Sequence, residues 1–364
     1  MSKKQILITG GDGYIGSRIA RKYLQVTQEP ILLWVRANDE HEFQNKVEKL
    51  NLYLDNYSER VSYSWGDLRQ AQPFNLIDPG EIKLIVHSAS VTRFNVDRET
   101  ARQVNIEGTE KLLNFANTCH SLEGFGLLST VYASGIKSGL IAEIALDDRD
   151  GFANYYEWSK WESENLLINQ FSHLPWSIFR VATVIADNIQ GYVTQQNAFH
   201  NTLKLLYYGL LSLIPGKPET PLYFVTGDFV TDAIFKLMSR SCNQEIYHIA
   251  HTKAESPCLG DIIDIAFTTF TQTPEFKVRR VLKPLYADPE SFNFLVDAVK
   301  GFGGNIVNEA VSSVSPFSKQ LFIDKEINNQ KLVSAFDNYQ AENPQTLIEN
   351  TCQYLLKQKW AKQV

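Results

Sequence analysis

A chain of 364 residues, 44% apolar and 21% charged, has room for one large globular domain with a smaller appendage, and not for three. A net charge of −6 and a sequence pI near 5.7 argue against nucleic acid or an anionic membrane as the main partner, while local basic groups can still serve a small anion. The four cysteines, Cys119, Cys242, Cys258 and Cys352, lack CxxC or paired-His spacing, which suits a reduced cytoplasmic protein rather than a zinc site or disulfide framework.

From the N-terminus, Gln5–Thr9 reads as a buried strand, too short for the apolar core of a signal peptide. Glycines follow, then an apolar-periodic helix from about Tyr14 to Gln25. Ile31–Val35, Val61–Ser64, Leu84–His87, Phe125–Ser129 and Trp176–Val181 are further apolar runs of strand length. Helical patterns over Glu99–Cys119 and Tyr155–Asn169 lie between them. This alternation predicts an α/β, doubly wound parallel sheet covered on both faces.

Past Ala186 the pattern turns mostly helical, over Asn197–Leu213, over Phe229–Met238, and from Asp261 onward with interruptions around Gly301–Gly304. Ile246–Ile249 is a short strand able to rejoin the main sheet. The longest apolar stretch, Leu203 to Pro215, is broken by Lys204 and Gly209 and falls far short of a membrane span. The expected organisation is a cofactor domain over residues 1–190, rejoined by 223–250, and an interleaved, mostly helical substrate-binding region over 191–364.

Thr9-Gly10-Gly11-Asp12-Gly13-Tyr14-Ile15-Gly16 stands at the first strand–helix junction, with glycines spaced GxxGxxG. The first turns the chain tightly, the second lets backbone approach a pyrophosphate, and the third allows close helix packing. The helix N-terminus offers unpaired N–H groups to the anion. The plainer alternative is a loop that only turns the chain. The second strand ends at Trp34-Val35-Arg36-Ala37, and an arginine there suits a 2′-phosphate, so NADP(H) is favoured over NAD. Asp39 is the competing acidic candidate if the strand ends later.

Tyr156-Glu157-Trp158-Ser159-Lys160 puts a phenol and an ammonium at i and i+4, on one helix face. A nearby cation favours the phenolate, so Lys160 is expected to pull the Tyr156 pKa toward the working range. Tyr155 lacks that spacing. The fifth strand runs out through Ser129-Thr130 at the carboxyl edge of the sheet, where a hydroxyl can donate to a developing oxyanion, and Thr130 is preferred over Ser129.

Together with Gly66-Asp67-Leu68, His87-Ser88-Ala89-Ser90, Asn105-Ile106-Glu107-Gly108-Thr109 and Ser129-Thr130-Val131-Tyr132, these motifs resemble the extended short-chain dehydrogenases/reductases with their Rossmann fold. On Val35-Arg36-Ala37, Gly66-Asp67-Leu68, Ser129-Thr130-Val131-Tyr132, the run from Tyr156 to Glu162, and Gly209-Leu210-Leu211 with Pro215, the chain is most similar within them to the thioester reductase and fatty acyl-CoA reductase branch, the "male sterility" type; the match covers roughly residues 5–240. The resemblance implies that Asp67 and Leu68 lie by the adenine, Ala89 lines the cofactor cleft, Lys160 also holds the nicotinamide ribose, Arg36 meets the 2′-phosphate, and Asn105 is structural. It implies a phosphopantetheine-linked acyl substrate, on CoA or on a carrier protein supplied in trans, reduced to an aldehyde. Val181, Ala182 and Ala186 depart from the Pro-Gly and later Gly that the family usually has after Arg180. Phe224-Val225-Thr226-Gly227-Asp228 departs likewise from Val-Pro-Val-Asp. The Leu203–Leu213 segment reads as ordinary core first and as the wall of an acyl channel second. The rival readings are a nucleotide-sugar epimerase or dehydratase with bound NAD, a non-catalytic NADP sensor or scaffold, and a reductase of small ketones or aldehydes.

Overall fold

The computed structural model describes residues 4–240, 242–300 and 314–360. Strands β1 (Gln5–Thr9), β2 (Ile31–Arg36), β3 (Val61–Gly66), β4 (Ile82–His87) and β5 (Gly124–Thr130) come first. The short β6 (Gly139–Ile141) follows, and then β7 (Trp176–Val181). The later strands are β8 (Thr183–Ala186), β9 (Leu213–Pro215), β10 (Phe224–Thr226), β11 (Glu245–Ile249), β12 (Leu285–Ala287) and β13 (Lys325–Ile327). Seven of them form one parallel sheet in the order β11-β7-β5-β4-β1-β2-β3. The chain winds outward from β1 through β2 to β3, then restarts at β4 on the other side of β1. The carboxyl ends of β1 and β4 therefore flank the switch point, the crevice where open α/β sheets bind ligands. Buried runs such as Ile31–Val35 fit a sheet covered on both faces.

Helices α1 (Tyr14–Val26) and α2 (Glu40–Leu54) lie near the start of the chain. The expected Glu99–Cys119 helix is three pieces, α3 (Arg98–Ala101), a π turn at Arg102–Ile106 and α4 (Glu107–Ala116). Helix α5 (Tyr155–Gln170) carries the Tyr/Lys pair, and α6 (Ala198–Tyr208), α7 (Gly227–Met238) and α8 (Leu259–Phe270) come after it. One apolar cluster packs α1 and α7 on one face of the sheet, and a second packs α4 and α5 on the other. A third joins α6, α8 and the helix Pro344–Lys357 away from the sheet.

Three local expectations change. The Asn197–Leu213 helix stops at Tyr208 because Gly209 takes the left-handed conformation at φ 70°, and Leu213–Pro215 becomes a strand paired with β12. Helix α2 is an addition to the expected elements. Asp39, the competing acidic candidate, is its N-cap and accepts the Glu42 N–H at 2.8 Å through one carboxylate oxygen. The C-terminal part also contains short strand pairs, β12 with β9 and β13 with β6. The Gly301–Gly304 interruption lies outside the described residues.

One ion pair ties these layers together. Arg180 on β7 is fully buried and clasps Glu164 of α5, at 2.7 Å in its shortest contact. It also donates to the Ile144 carbonyl at 2.9 Å and lies 3.3 Å from His248 Nε2 on β11. Removing one partner strands the other charge out of water. Glu164→Ala is therefore expected to cost about 3–5 kcal/mol, read from the shift of a urea unfolding midpoint.

Candidate active site

The glycine turn is built by contact distances. Gly10 sits at φ 67°, and a Cβ there would stand 2.8 Å from the Ala89 backbone nitrogen. A Cβ on Gly16 would fall 2.2 Å from the Gly10 carbonyl oxygen. Gly13 precedes α1 with no side-chain cap, and the first turn holds no acidic residue. The opening N–H groups of α1 therefore face the crevice, a seat for a phosphate. This cradle fits a dinucleotide's pyrophosphate.

A cavity of about 770 Å³ opens from that seat. Gly13, Tyr14, Ile15 and Gly16 line one end, and Thr130, Tyr156 and Lys160 line its middle. Among the expected cofactor contacts, Thr9, Gly10 and Ala89 lie beneath this lining. The Thr9 hydroxyl is buried and 2.7 Å from His87 Nδ1, so it braces β1 against β4 and does not reach the cleft. The Tyr14 side chain is likewise committed, donating to Asp187 at 2.7 Å, and burial with that carboxylate holds its phenol well above the usual range. Asp187 also receives Arg18 at 2.8 Å and Thr194 at 2.9 Å, closing the segment after β8 onto the glycine turn.

Arg36, Asp67 and Leu68 sit outside this cavity, at the carboxyl ends of β2 and β3 on the far side of β1. Arg36 is exposed. Asp67 is paired with Arg69 at 2.6 Å, which holds its carboxyl below the usual range, and Leu68 is buried against Gly108. Lys46, which no sequence motif marks, reaches from α2 to Asp12 of the glycine turn at 2.8 Å and to the Arg36 carbonyl at 2.5 Å. It adds a second cation beside the end of β2.

The catalytic candidates converge. Burial pushes the Tyr156 phenol well above the ordinary range, and a hydrogen bond with Thr130 works the other way. Lys160, expected to supply that downward pull, donates instead to the Leu128 carbonyl at 2.7 Å and lies 3.5 Å from Ser90 Oγ. Burial pushes its own ammonium down to about 8. The reason is local: α5 packs so closely on the end of β5 that the nearest acceptor for the ammonium is the strand carbonyl. Ser129 turns its hydroxyl to Glu164, which leaves Thr130 as the hydroxyl beside the phenol. Asn105, inside the π turn, clamps the Ser90–Val91 loop, accepting from Val91 N–H at 2.8 Å and donating to Ser159 at 2.8 Å. Phe94 and Tyr132 also line the cavity, and Phe94 packs edge-on against Tyr156 and Tyr132. No motif spacing points to either.

Residues 8–234 match the family model described as male sterility protein. The chain belongs to the male sterility protein family. This places it in the extended short-chain dehydrogenase/reductase superfamily, as an NAD(P)-binding oxidoreductase. Among the family's relatives, it is 25% identical over 357 residues to the alcohol-forming fatty acyl-CoA reductase of Simmondsia chinensis, covering 75% of this chain and 72% of that protein. It is 23% identical to the fatty acyl-CoA reductase wat of Drosophila melanogaster, covering 70% of this chain and 56% of that one. The terminal R domain from the myxalamid PKS-NRPS pathway superposes with a TM-score of 0.76 at 18% identity, over 100% of this chain and 93% of its own, which shows the shared fold.

Because a Cβ at position 16 has no room, Gly16→Ala is expected to displace the turn and weaken NAD(P)H binding at least about tenfold. Fluorescence titration of the nicotinamide reads this directly, with circular dichroism as the control for folding.

Proposed function

We propose that this protein is an NADPH-dependent reductase that converts an acyl thioester to an aldehyde, with Thr130, Tyr156 and Lys160 as its catalytic residues. The observation that carries the reading is one continuous cavity, which runs from the phosphate seat past the Thr130–Tyr156 pair into an apolar chamber. NADPH, when bound, supplies the hydride for the thioester carbonyl carbon. Thr130 and Tyr156 donate hydrogen bonds to the carbonyl oxygen as it becomes negative, and Tyr156 hands it a proton. Lys160 holds the nicotinamide ribose. The resulting hemithioacetal loses its thiol and leaves an aldehyde.

The 2′-phosphate of NADPH is assigned to Arg36, with Lys46 beside it. Asp39 gives one carboxylate oxygen to the start of α2, which weakens the case for it as the partner of the bare ribose of NAD. Asp67 and Leu68 are assigned to the adenine end.

Beyond Tyr156 the chamber is walled by α6, α8, β9, β10 and the 314–321 segment, including Leu203, Leu206, Ile214, Phe224, Ile262 and Leu321. Among the described residues, the part of the lining beyond residue 197 contains no charged side chain. Leu203 and Leu206 serve as core and as wall at once. Such walls favour an apolar acyl chain, with coenzyme A or a phosphopantetheine-bearing carrier protein holding the thiol.

Three outcomes test this. NADPH oxidation should require an acyl-CoA, and Tyr156→Phe or Thr130→Ala should lower kcat about 10²- to 10⁴-fold. No thioester-dependent oxidation despite tight NADPH binding would sink the assignment. Across saturated acyl-CoAs, kcat/KM should rise about fourfold per added methylene until the chamber is full. Arg36→Ala should cut kcat/KM for NADPH roughly 10- to 100-fold and leave that for NADH nearly unchanged.

A further inference from the structure

The residue next to the proposed proton donor has no part in that scheme, yet it is fully buried. Glu157 accepts the Ala153 N–H at 2.9 Å and the Asn154 side-chain amide at 3.0 Å. Its third donor comes from far along the chain, the Gln320 amide at 3.0 Å. Gln320 also donates to the Gly135 carbonyl at 3.0 Å, and the ammonium of Lys325, itself buried, reaches Ser134 Oγ at 2.8 Å. We propose that Glu157 is a positioning residue: with Gln320 and Lys325 it ties the first turn of α5, which carries Tyr156, to the Ser315–Ile327 segment that walls the acyl chamber.

Two independent contacts join that segment to the phenol. The polar tie runs through the residue next to Tyr156. The aromatic one runs from Phe317, whose ring centroid is 6.0 Å from Phe94, to Phe94 and on to Tyr156 at 5.7 Å. Pro316, Phe317, Gln320 and Leu321 all line the cavity. Asn154 adds a bond from the helix start to the Pro316 carbonyl at 3.2 Å. Behind this knot β13 pairs with β6, so the segment is anchored on both sides of the tie. A single carboxylate accepting three N–H donors from two parts of the chain restrains the start of the helix more tightly than any one bond does. A chamber wall and a proton donor joined this way move together, so the acyl chain that seats the wall also seats the phenol.

The tie has an electrostatic signature that a purely structural bond lacks. The groups around the carboxylate are Lys325, with Asp150 acting on that lysine, and the phenols Tyr132 and Tyr156; Lys319, on the same turn as Gln320, is exposed. Burial pushes the Glu157 carboxyl up and the Lys325 ammonium down, each opposed by the other's charge. The negative charge of Glu157 raises Tyr156. Removing it must therefore lower the pH at which Tyr156 loses its proton.

The inference rests on Tyr156 being the proton donor, and the experiment separates the two. Single-turnover oxidation of bound NADPH by a saturating acyl-CoA is followed against pH for the wild type, Tyr156→Phe and Glu157→Gln. The expected result is a roughly 10- to 100-fold slower Glu157→Gln enzyme with NADPH affinity retained. Its alkaline limb should shift to lower pH, the direction set by removing a negative charge beside Tyr156. A rate that falls equally at every pH, with the limb unmoved, overturns the positioning role and leaves only a structural one. An undiminished Tyr156→Phe enzyme overturns the proton-donor assignment itself. If Glu157→Gln does not fold, Lys325→Met carries the same test: a buried carboxyl without its counter-charge takes up a proton, and the limb moves the same way.

Discussion

Everything in this molecule depends on the crowding at one point, where β1 and β4 diverge at the middle of a parallel sheet. The backbone of Gly10 runs against that of Ala89 with no space for a side chain between them. The carboxyl ends of two neighbouring strands thus carry α1 and the Ser88–Val91 loop in opposite directions, and a crevice opens between. Thr9 and His87 brace the strands from inside, 2.7 Å apart, and Asn105 fixes the loop from below. The anion seat, helix α5 and the cavity are all placed relative to that crevice.

The proposed catalytic groups are held by economical means. Lys160 is anchored on a strand carbonyl, Ser129 is drawn away by the Glu164–Arg180 pair, and Thr130 is left facing the phenol. Alternation along β5 turns Ser129 and Thr130 to opposite sides, and the buried ion pair that links β7 to α5 holds the Ser129 hydroxyl. The phenol stands high in its range because burial outweighs the hydrogen bond from Thr130. A group poised this way suits giving a proton to an oxyanion that is itself strongly basic.

The far half of the chain contributes walls. Helices α6 and α8 and the 314–321 segment close an apolar chamber that the sheet alone would leave open. The Glu157–Gln320–Lys325 knot stitches this half to the first turn of α5 as well.

Strand lengths, the glycine spacing and the YxxxK pair were legible in the sequence because each depends on neighbours within a few residues. Gln5–Thr9 and Trp176–Val181 have in the structure the bounds their apolar runs suggest. The break in the Asn197–Leu213 helix at Gly209 was less legible. Glycine inside an apolar run opposes helix only weakly, until a strand partner such as β12 competes for Leu213–Pro215. Helix α2 escaped because its apolar stripe is weak, and Lys46 escaped with it. What the tertiary structure alone decided is everything set by pairs distant in the chain. Thr9 faces His87, Lys160 finds the Leu128 carbonyl, and Glu157 meets Gln320 163 residues away. Local pattern encodes which face of an element is apolar, whereas the partner of a buried polar group is chosen by the packing of elements that sequence spacing does not bring together.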